Sequence, residues 1–161
     1  MSSGTTVTVR EAADGDLDRV GELWAEMVDF HHDLDARFWV RKPDGNDIFR
    51  IWMDSAHGDE TRMVLVAEAG GDVVGFVHGQ IGGSPPPMED RVIGMITDIA
   101  IAFSHRGKGV GGDLMRAMEE WFKSRGAESI SLSAAMKNDC ALGFYEHLGF
   151  ERHIVTMNKV L

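Results

Sequence analysis

The apolar positions of the chain alternate between two periods. Val7 and Val9 interleave with Thr8 and Arg10, which predicts a short opening strand. Leu17, Val20, Leu23, Trp24, Met27 and Val28 then recur at helical spacing, with Asp14 or Asp16 placed to cap them. An amphipathic helix is expected to about His31. Asp33 to Gly45 is mixed in pattern and ends in the turn signal Pro43-Asp44-Gly45. Ile48, Phe49, Ile51 and Trp52 predict a second helix from Ile48 to Ala56, stopping near Gly58.

Two apolar runs, Met63 to Ala69 and Val73 to Ile81, flank Gly70-Gly71-Asp72 and read as a hairpin, because glycines accept the positive φ of a tight turn. Pro85-Pro86-Pro87 makes Gly82 to Asp90 a loop, since proline lacks the donor a central strand needs. Arg91 to Phe103 is nearly continuously apolar, the mark of a central strand covered on both faces. A helix over Gly109 to Lys123 follows, burying Leu114, Met115, Met118, Trp121 and Phe122, and Arg125-Gly126 closes it. Ile130 to Ser133 reads as a strand, Asp139 to His147 as a short helix, and Val155 to Leu161 as a last strand. The order is strand, helix, helix, three strands, helix, strand, helix, strand. Met1 to Thr6 is expected to be a flexible lead, with residues 7–161 forming one domain.

Composition narrows the class. The 161 residues are 43% hydrophobic and 26% charged, as in a globular protein that can bury its own core. One cysteine, Cys140, excludes an intrachain disulfide framework and fits a cytoplasmic protein. No apolar run approaches the roughly 20 residues of a membrane span, and the first residues lack a signal-peptide pattern. Sixteen Lys and Arg against twenty-six Asp and Glu give a net charge of -10, which argues against nucleic acid as partner and favours a cationic acceptor. The histidines lack the spacing of a zinc site, so no metal is expected.

Between the long apolar strand and the next helix lies His105-Arg106-Gly107-Lys108-Gly109-Val110-Gly111-Gly112. Glycines let the backbone approach a bulky anion, successive amides form an anion nest, and the helix start adds unpaired N–H groups. Arg106 and Lys108 supply charge. The phosphate loop of the nucleotide triphosphatases needs Gly-Lys followed by Ser or Thr, whereas Gly109 follows Lys108. The dinucleotide fingerprint needs a different glycine spacing after a first strand. On spacing alone, a solvated surface turn remains the competing explanation.

This segment resembles the acyl-CoA signature of the Gcn5-related N-acetyltransferase superfamily, Arg/Gln-x-x-Gly-x-Gly/Ala, matched by Arg106, Gly109 and Gly111. A second resemblance is independent of the first: Asn138 and Tyr145 are seven positions apart on a short helix, and Leu148-Gly149-Phe150 follows. The element order is also similar, from about Val7 to Val160. The resemblance implies an α/β fold of the mixed α+β type, with a mostly antiparallel twisted sheet splayed into a V and flanked by helices. It implies acetyl-CoA as co-substrate, with backbone groups of Ile99 and Ile101 along the pantetheine arm. The amides of Arg106, Gly107, Lys108, Gly109, Val110, Gly111 and Gly112 would hold the pyrophosphate, and Asn138 would bond the pantetheine or orient the site. Tyr145 would direct its hydroxyl at the thioester sulfur. Homodimers are common in the superfamily.

The implied reaction is attack of a neutral amine on the thioester, then loss of CoA thiolate. A tyrosine with an ordinary pKa of about 10 stays protonated near neutrality and can donate to that thiolate. The base is the open point. Relatives acting on amines commonly carry a glutamate nine residues before the motif arginine, where this chain has Thr97. Its neighbour Asp98 is the substitute, although the two point to opposite faces of a regular strand unless a bulge re-aims one. His78 and His31-His32 are alternatives, and His31, Asp33, Asp35 and Glu89 are candidate acceptor contacts. Asp139 is expected to cap its helix, Cys140 to be a buried structural thiol, and His105 to be a loop residue. The expected activity is acetylation of a primary amine on a small cationic molecule or peptide. A non-catalytic acyl-CoA sensor, another acyl group or another acceptor atom are the alternatives.

Overall fold

In the computed structural model, which describes residues 6–161, the order is β1 (Val7–Glu11), α1 (Leu17–Leu34), α2 (Gly45–Asp54), β2 (Arg62–Ala69), β3 (Asp72–Gly83), β4 (Val92–Ile101), α3 (Val110–Ser124), β5 (Ser129–Leu132) and α4 (Asp139–His147). The predicted flexible lead lies outside these residues except for Thr6. The strands form one five-stranded sheet in the order β1-β2-β3-β4-β5. Its first four strands are antiparallel neighbours, and β4 pairs β5 in parallel. A parallel neighbour needs a crossover, which α3 supplies. The β2–β3 hairpin turns at Gly70 and Gly71, with φ of 63° and 90°, the conformation of a tight primed turn.

Side-chain alternation along the strands divides the core in two. Val64, Val66, Val73, Phe76 and Ala100 face α1 and α2, where they meet Leu17, Val20, Leu23, Phe49 and Met53. Leu65, Ala67, Val74, Val77 and Ile96 face α3 and meet Val110, Leu114, Met115, Met118 and Phe122. Gly79 and Gly94 let α3 lie close: a Cβ at either would come within 2.7 Å of the Phe122 ring. Trp24 stacks on Phe49 with ring centroids 4.6 Å apart and joins α1 to α2. Among the described residues no helix is long and apolar enough to cross a membrane.

Three expectations change. The strand covered on both faces is β3, buried from Val73 to Gly79, and not β4, which is half-buried along much of its length. The cause is geometric: β4 loses its neighbour on one side partway along. α1 continues three residues past His31, to Leu34. Residues 151–161 form no strand, and Ile154, Val155, Met157, Val160 and Leu161 are exposed. Their alternation fits a strand, but a strand needs a neighbour to take its backbone groups. The available neighbour, β5, has four residues and stands at the sheet edge. Beside it remains a groove of about 490 Å³ between Phe122 of α3, Ile130 and Phe150, which contains none of the predicted site residues.

Candidate active site

The site begins where the sheet opens. β4 and β5 pair only from Ile93↔Ser129 to Ile96↔Leu132. From Thr97 onward β4 is held by β3 alone, so the sheet splays there. On the β3 side, Ala102 N–H donates to Val74 O at 2.8 Å. Successive residues of a strand turn their backbone groups to opposite edges, so Ile99 and Ile101 present theirs to the opening. Consistently, the Ile101 carbonyl accepts from Arg106 Nε at 3.0 Å. Two predicted backbone contacts therefore lie on an edge that no strand pairs, where the Ile99 groups and the Ile101 N–H stand open while Arg106 takes the Ile101 carbonyl.

This edge leads directly into the glycine turn. Gly107 and Gly109 adopt φ of 71° and 87°, the left-handed region that side-chain-bearing residues avoid. Gly109 is the N-cap of α3, whose first helical bond is Asp113 N–H to Gly109 O at 3.1 Å. The amides of Gly109, Val110, Gly111 and Gly112 thus have no acceptor within the helix. Val110 buries its side chain under the sheet, leaving only its amide at the turn. Gly111 is small for a packing reason: a Cβ there would lie 3.2 Å from Phe144 and 3.4 Å from Ile101. Lys108 is exposed, while the Arg106 guanidinium lies over the rings of Phe30 and Phe103 at 5.4 and 5.6 Å. Gly107, Gly109 and Gly112 have open space where a side chain would stand. The turn is an uncovered cradle of amides beside positive charge.

α4 closes the other side. Asn138 is its N-cap, the side-chain oxygen accepting from Ala141 N–H at 3.1 Å, so Asn138 and not the predicted Asp139 caps this helix. Asp139 is exposed, and a cap must precede the first helical turn. The Asn138 amide also reaches His31 Nε2 at 3.4 Å, while His31 Nδ1 bonds Met27 O at 2.8 Å. Both ring nitrogens of His31 are thereby occupied. Asp35 bonds Arg37 and Lys137 at 2.7 and 2.9 Å, and these bonds hold its carboxyl well below the usual range. His31 and Asp35 therefore serve to join the end of α1 to the loop before α4. His32, Asp33 and Glu89 are exposed, and Glu89 pairs with Arg91. Cys140 is exposed and not a buried structural thiol, because α4 turns that side to solvent.

Tyr145 packs between Phe144 and Phe150, with centroids at 5.3 and 5.8 Å. Burial pushes its pKa up to about 12. Its hydroxyl has no hydrogen-bond partner among the described residues, yet Trp121 Nε1 is the sole unpartnered side-chain atom that is fully buried. The Tyr145 ring is therefore buried while its hydroxyl keeps access to solvent, protonated and unspent.

The surroundings of Asp98, the candidate base, depend on a bulge. His78 pairs with Asp98 and Gly79 with Ile96, leaving Thr97 as the extra residue of β4. Ile96 consequently faces α3, while Asp98 joins Ala100 on the α1–α2 face. Thr97 and Asp98 come to serve the same side, as they cannot in a regular strand. Burial raises the Asp98 pKa above the usual value, and the neighbouring Thr97 and Trp24 side chains offset part of that shift. His78 is fully buried, its Nδ1 2.5 Å from Thr97 Oγ1. Burial and the Arg62 charge lower its pKa to about 4. The contacts of Trp24, Arg62 and His78 with this region had no local signal, because His78 and Thr97 meet only through the bulged register.

Residues 22–150 match the Acetyltransferase (GNAT) family, and the chain belongs to that family. It is 29% identical over 146 residues to the uncharacterized N-acetyltransferase MJ1207 of Methanocaldococcus jannaschii, a match spanning 91% of this chain and 61% of that relative's length. Among solved structures, a mutant of the BH1408 protein from Bacillus halodurans superposes with a TM-score of 0.84 at 24% identity, covering 96% of this chain and 99% of that one. The aminoglycoside N-acetyltransferase AAC(6')-Iy, solved in complex with CoA, gives 0.75 at 17% identity over 99% and 98%. At these identities the structural likenesses establish the fold: a mixed α/β molecule on an open, mostly antiparallel sheet.

Proposed function

We propose that the protein is an N-acetyltransferase that moves the acetyl group of acetyl-CoA directly to a primary amine of a small cationic molecule or peptide. The observation that carries this is the unpaired edge of β4 at Ile99 and Ile101 running straight into the amide cradle of residues 106–112. An extended pantetheine arm matches such an edge, and a pyrophosphate matches such a cradle. Family membership and the CoA complex of a protein with the same fold support the same donor.

In the proposed mechanism the amine nitrogen attacks the thioester carbonyl carbon, giving a tetrahedral intermediate. Collapse breaks the carbon–sulfur bond and releases CoA thiolate. Tyr145, protonated at neutral pH, donates its proton to that sulfur. The attacking nitrogen gives its surplus proton to Asp98, whose raised pKa makes it a stronger base than an exposed carboxylate. Holding both reactants in the splay supplies rate through orientation. Asn138, committed to His31 and the α4 cap, orients the site rather than the thioester. The acidic composition favours a cationic acceptor.

The test is thiol release from acetyl-CoA across a broad panel of amines. Turnover on cationic amines is expected. Tight acetyl-CoA binding without turnover on any amine would reject catalysis in favour of a sensor.

A further inference from the structure

Residues 152–161 carry the pattern of a strand in the surroundings of none. In an extended segment Val155 and Met157 lie on one side with Lys159, while Thr156 and Asn158 lie on the other with Ile154. Yet Ile154, Val155 and Met157 are 82%, 74% and 90% exposed. Beyond the Phe150 amide, no backbone group of the segment bonds another backbone group among the described residues. An ion pair of Arg152 with Glu146, at 2.8 Å, fixes where the segment leaves α4. The consequence is visible in the total surface. The chain exposes 10393 Å², whereas a folded monomer of 17.7 kDa exposes about 8,000 Å². Apolar area of this extent marks a surface that meets another.

The molecule also holds a surface that fits. β5 pairs β4 along one edge, and no described residue pairs its other edge. Ser129–Leu132 thus offers a row of free donors and acceptors, a template for one more strand. Beside it the groove is lined by Phe122, Ile130, Leu148 and Phe150. Ile130 and Leu132 turn toward α3, and the exposed Ser129 and Ser131 turn away. An added strand with Val155 and Met157 on the groove side would set Thr156 and Asn158 beside those serines. Charge agrees with shape. Glu128 and Glu151 at the groove have no ion-pair partner among the described residues. Residues 152–161 bring Arg152, His153 and Lys159 and no acidic side chain. The segment lies clear of its own groove, exposed at every residue from 151 to 161. We propose that residues 152–161 of one copy add as a strand to β5 of a second copy, which returns its own segment in exchange. Two arms and two grooves then close a two-fold dimer and leave no edge open for further chains. The proposal is independent of the reading of the active site.

The test begins with sedimentation equilibrium of the full chain, which should give a dimer. Met157→Asp alters an exposed position and leaves the packing within one copy untouched. It should raise the dimer dissociation constant by about 100-fold or more, because each of two arms loses a buried apolar side chain. Val155→Asp should act in the same direction. Nuclear magnetic resonance of a mixed dimer, one copy methyl-labelled and the other not, then places the arm. Nuclear Overhauser contacts are expected from Met157 of one copy to Ile130 of the other, with slow hydrogen exchange at the amides from Ile154 to Asn158. A chain that stays monomeric up to its solubility limit would overturn the proposal. So would a dimer indifferent to both substitutions, or contacts between Met157 and Ile130 confined within one copy.

Discussion

The two regions proposed to take the acyl donor and the acceptor are built from different materials. Along Ile99, Ile101 and the turn to Gly112 the candidate groups are backbone amides and carbonyls, with glycine at 107, 109, 111 and 112 and only Arg106 and Lys108 adding side-chain charge. On the α1–α2 side the candidate groups are side chains: Asp98, and Thr97 set against the buried His78 by one extra residue in β4. A backbone site tolerates much sequence change provided glycines keep its shape. A side-chain site depends on register, and a single residue of slip dismantles it. The comparison predicts that mutations on the two sides separate binding from turnover.

The largest effect is expected from Asp98→Asn. It should lower kcat by on the order of 10²-fold with little change in acetyl-CoA affinity, the scale of a lost general base. The same change should raise thermal stability near neutral pH. A carboxyl whose folded pKa is raised binds its proton more tightly folded than unfolded, so its ionisation erodes stability as pH climbs from the unfolded value through the folded one. Asparagine removes that penalty, and a thermal melt at pH 7 reads the gain. Loss of both activity and stability would instead mark Asp98 as structural.

Next comes Gly109→Val, which puts a β-branched residue at φ 87°. A cost of about 2 kcal/mol, roughly 30-fold in CoA affinity by calorimetry, is expected. Tyr145→Phe should reduce kcat by about tenfold without altering CoA affinity. With the Tyr145 pKa at about 12, turnover should also show no loss from tyrosine ionisation between pH 8 and 10. The smallest change is Cys140→Ser on the exposed side of α4, expected within about 0.5 kcal/mol of the parent in a denaturant melt and equal in activity.

The same contrast explains what the sequence made legible. The glycine turn could be read directly, since conformational demand and anion chemistry both reside in local spacing at Gly109 and Gly111. The strand and helix order followed from periodicity up to α4. The missing last strand did not, because Ile154 to Leu161 alternate correctly and only the lack of a neighbour decides their fate. Asp98 was readable as a candidate but not its environment. Strand alternation set Thr97 and Asp98 on opposite faces, and the bulge that reunites them is a property of the β3–β4 register. His78 was one of several scattered histidines until that register set it against Thr97. Asn138 kept its place in the motif but spends its side chain on the α4 cap and His31.

The central claim is that residues 106–112 hold the pyrophosphate of acetyl-CoA, and backbone amide resonances follow it most directly. Titration with acetyl-CoA should shift the amides from Gly107 to Gly112 together with those of Ile99 and Ile101. S-acetylpantetheine, which lacks the pyrophosphate, should move Ile99 and Ile101 and leave the turn in place. Acetyl-CoA binding that shifts no amide of the turn would contradict the account.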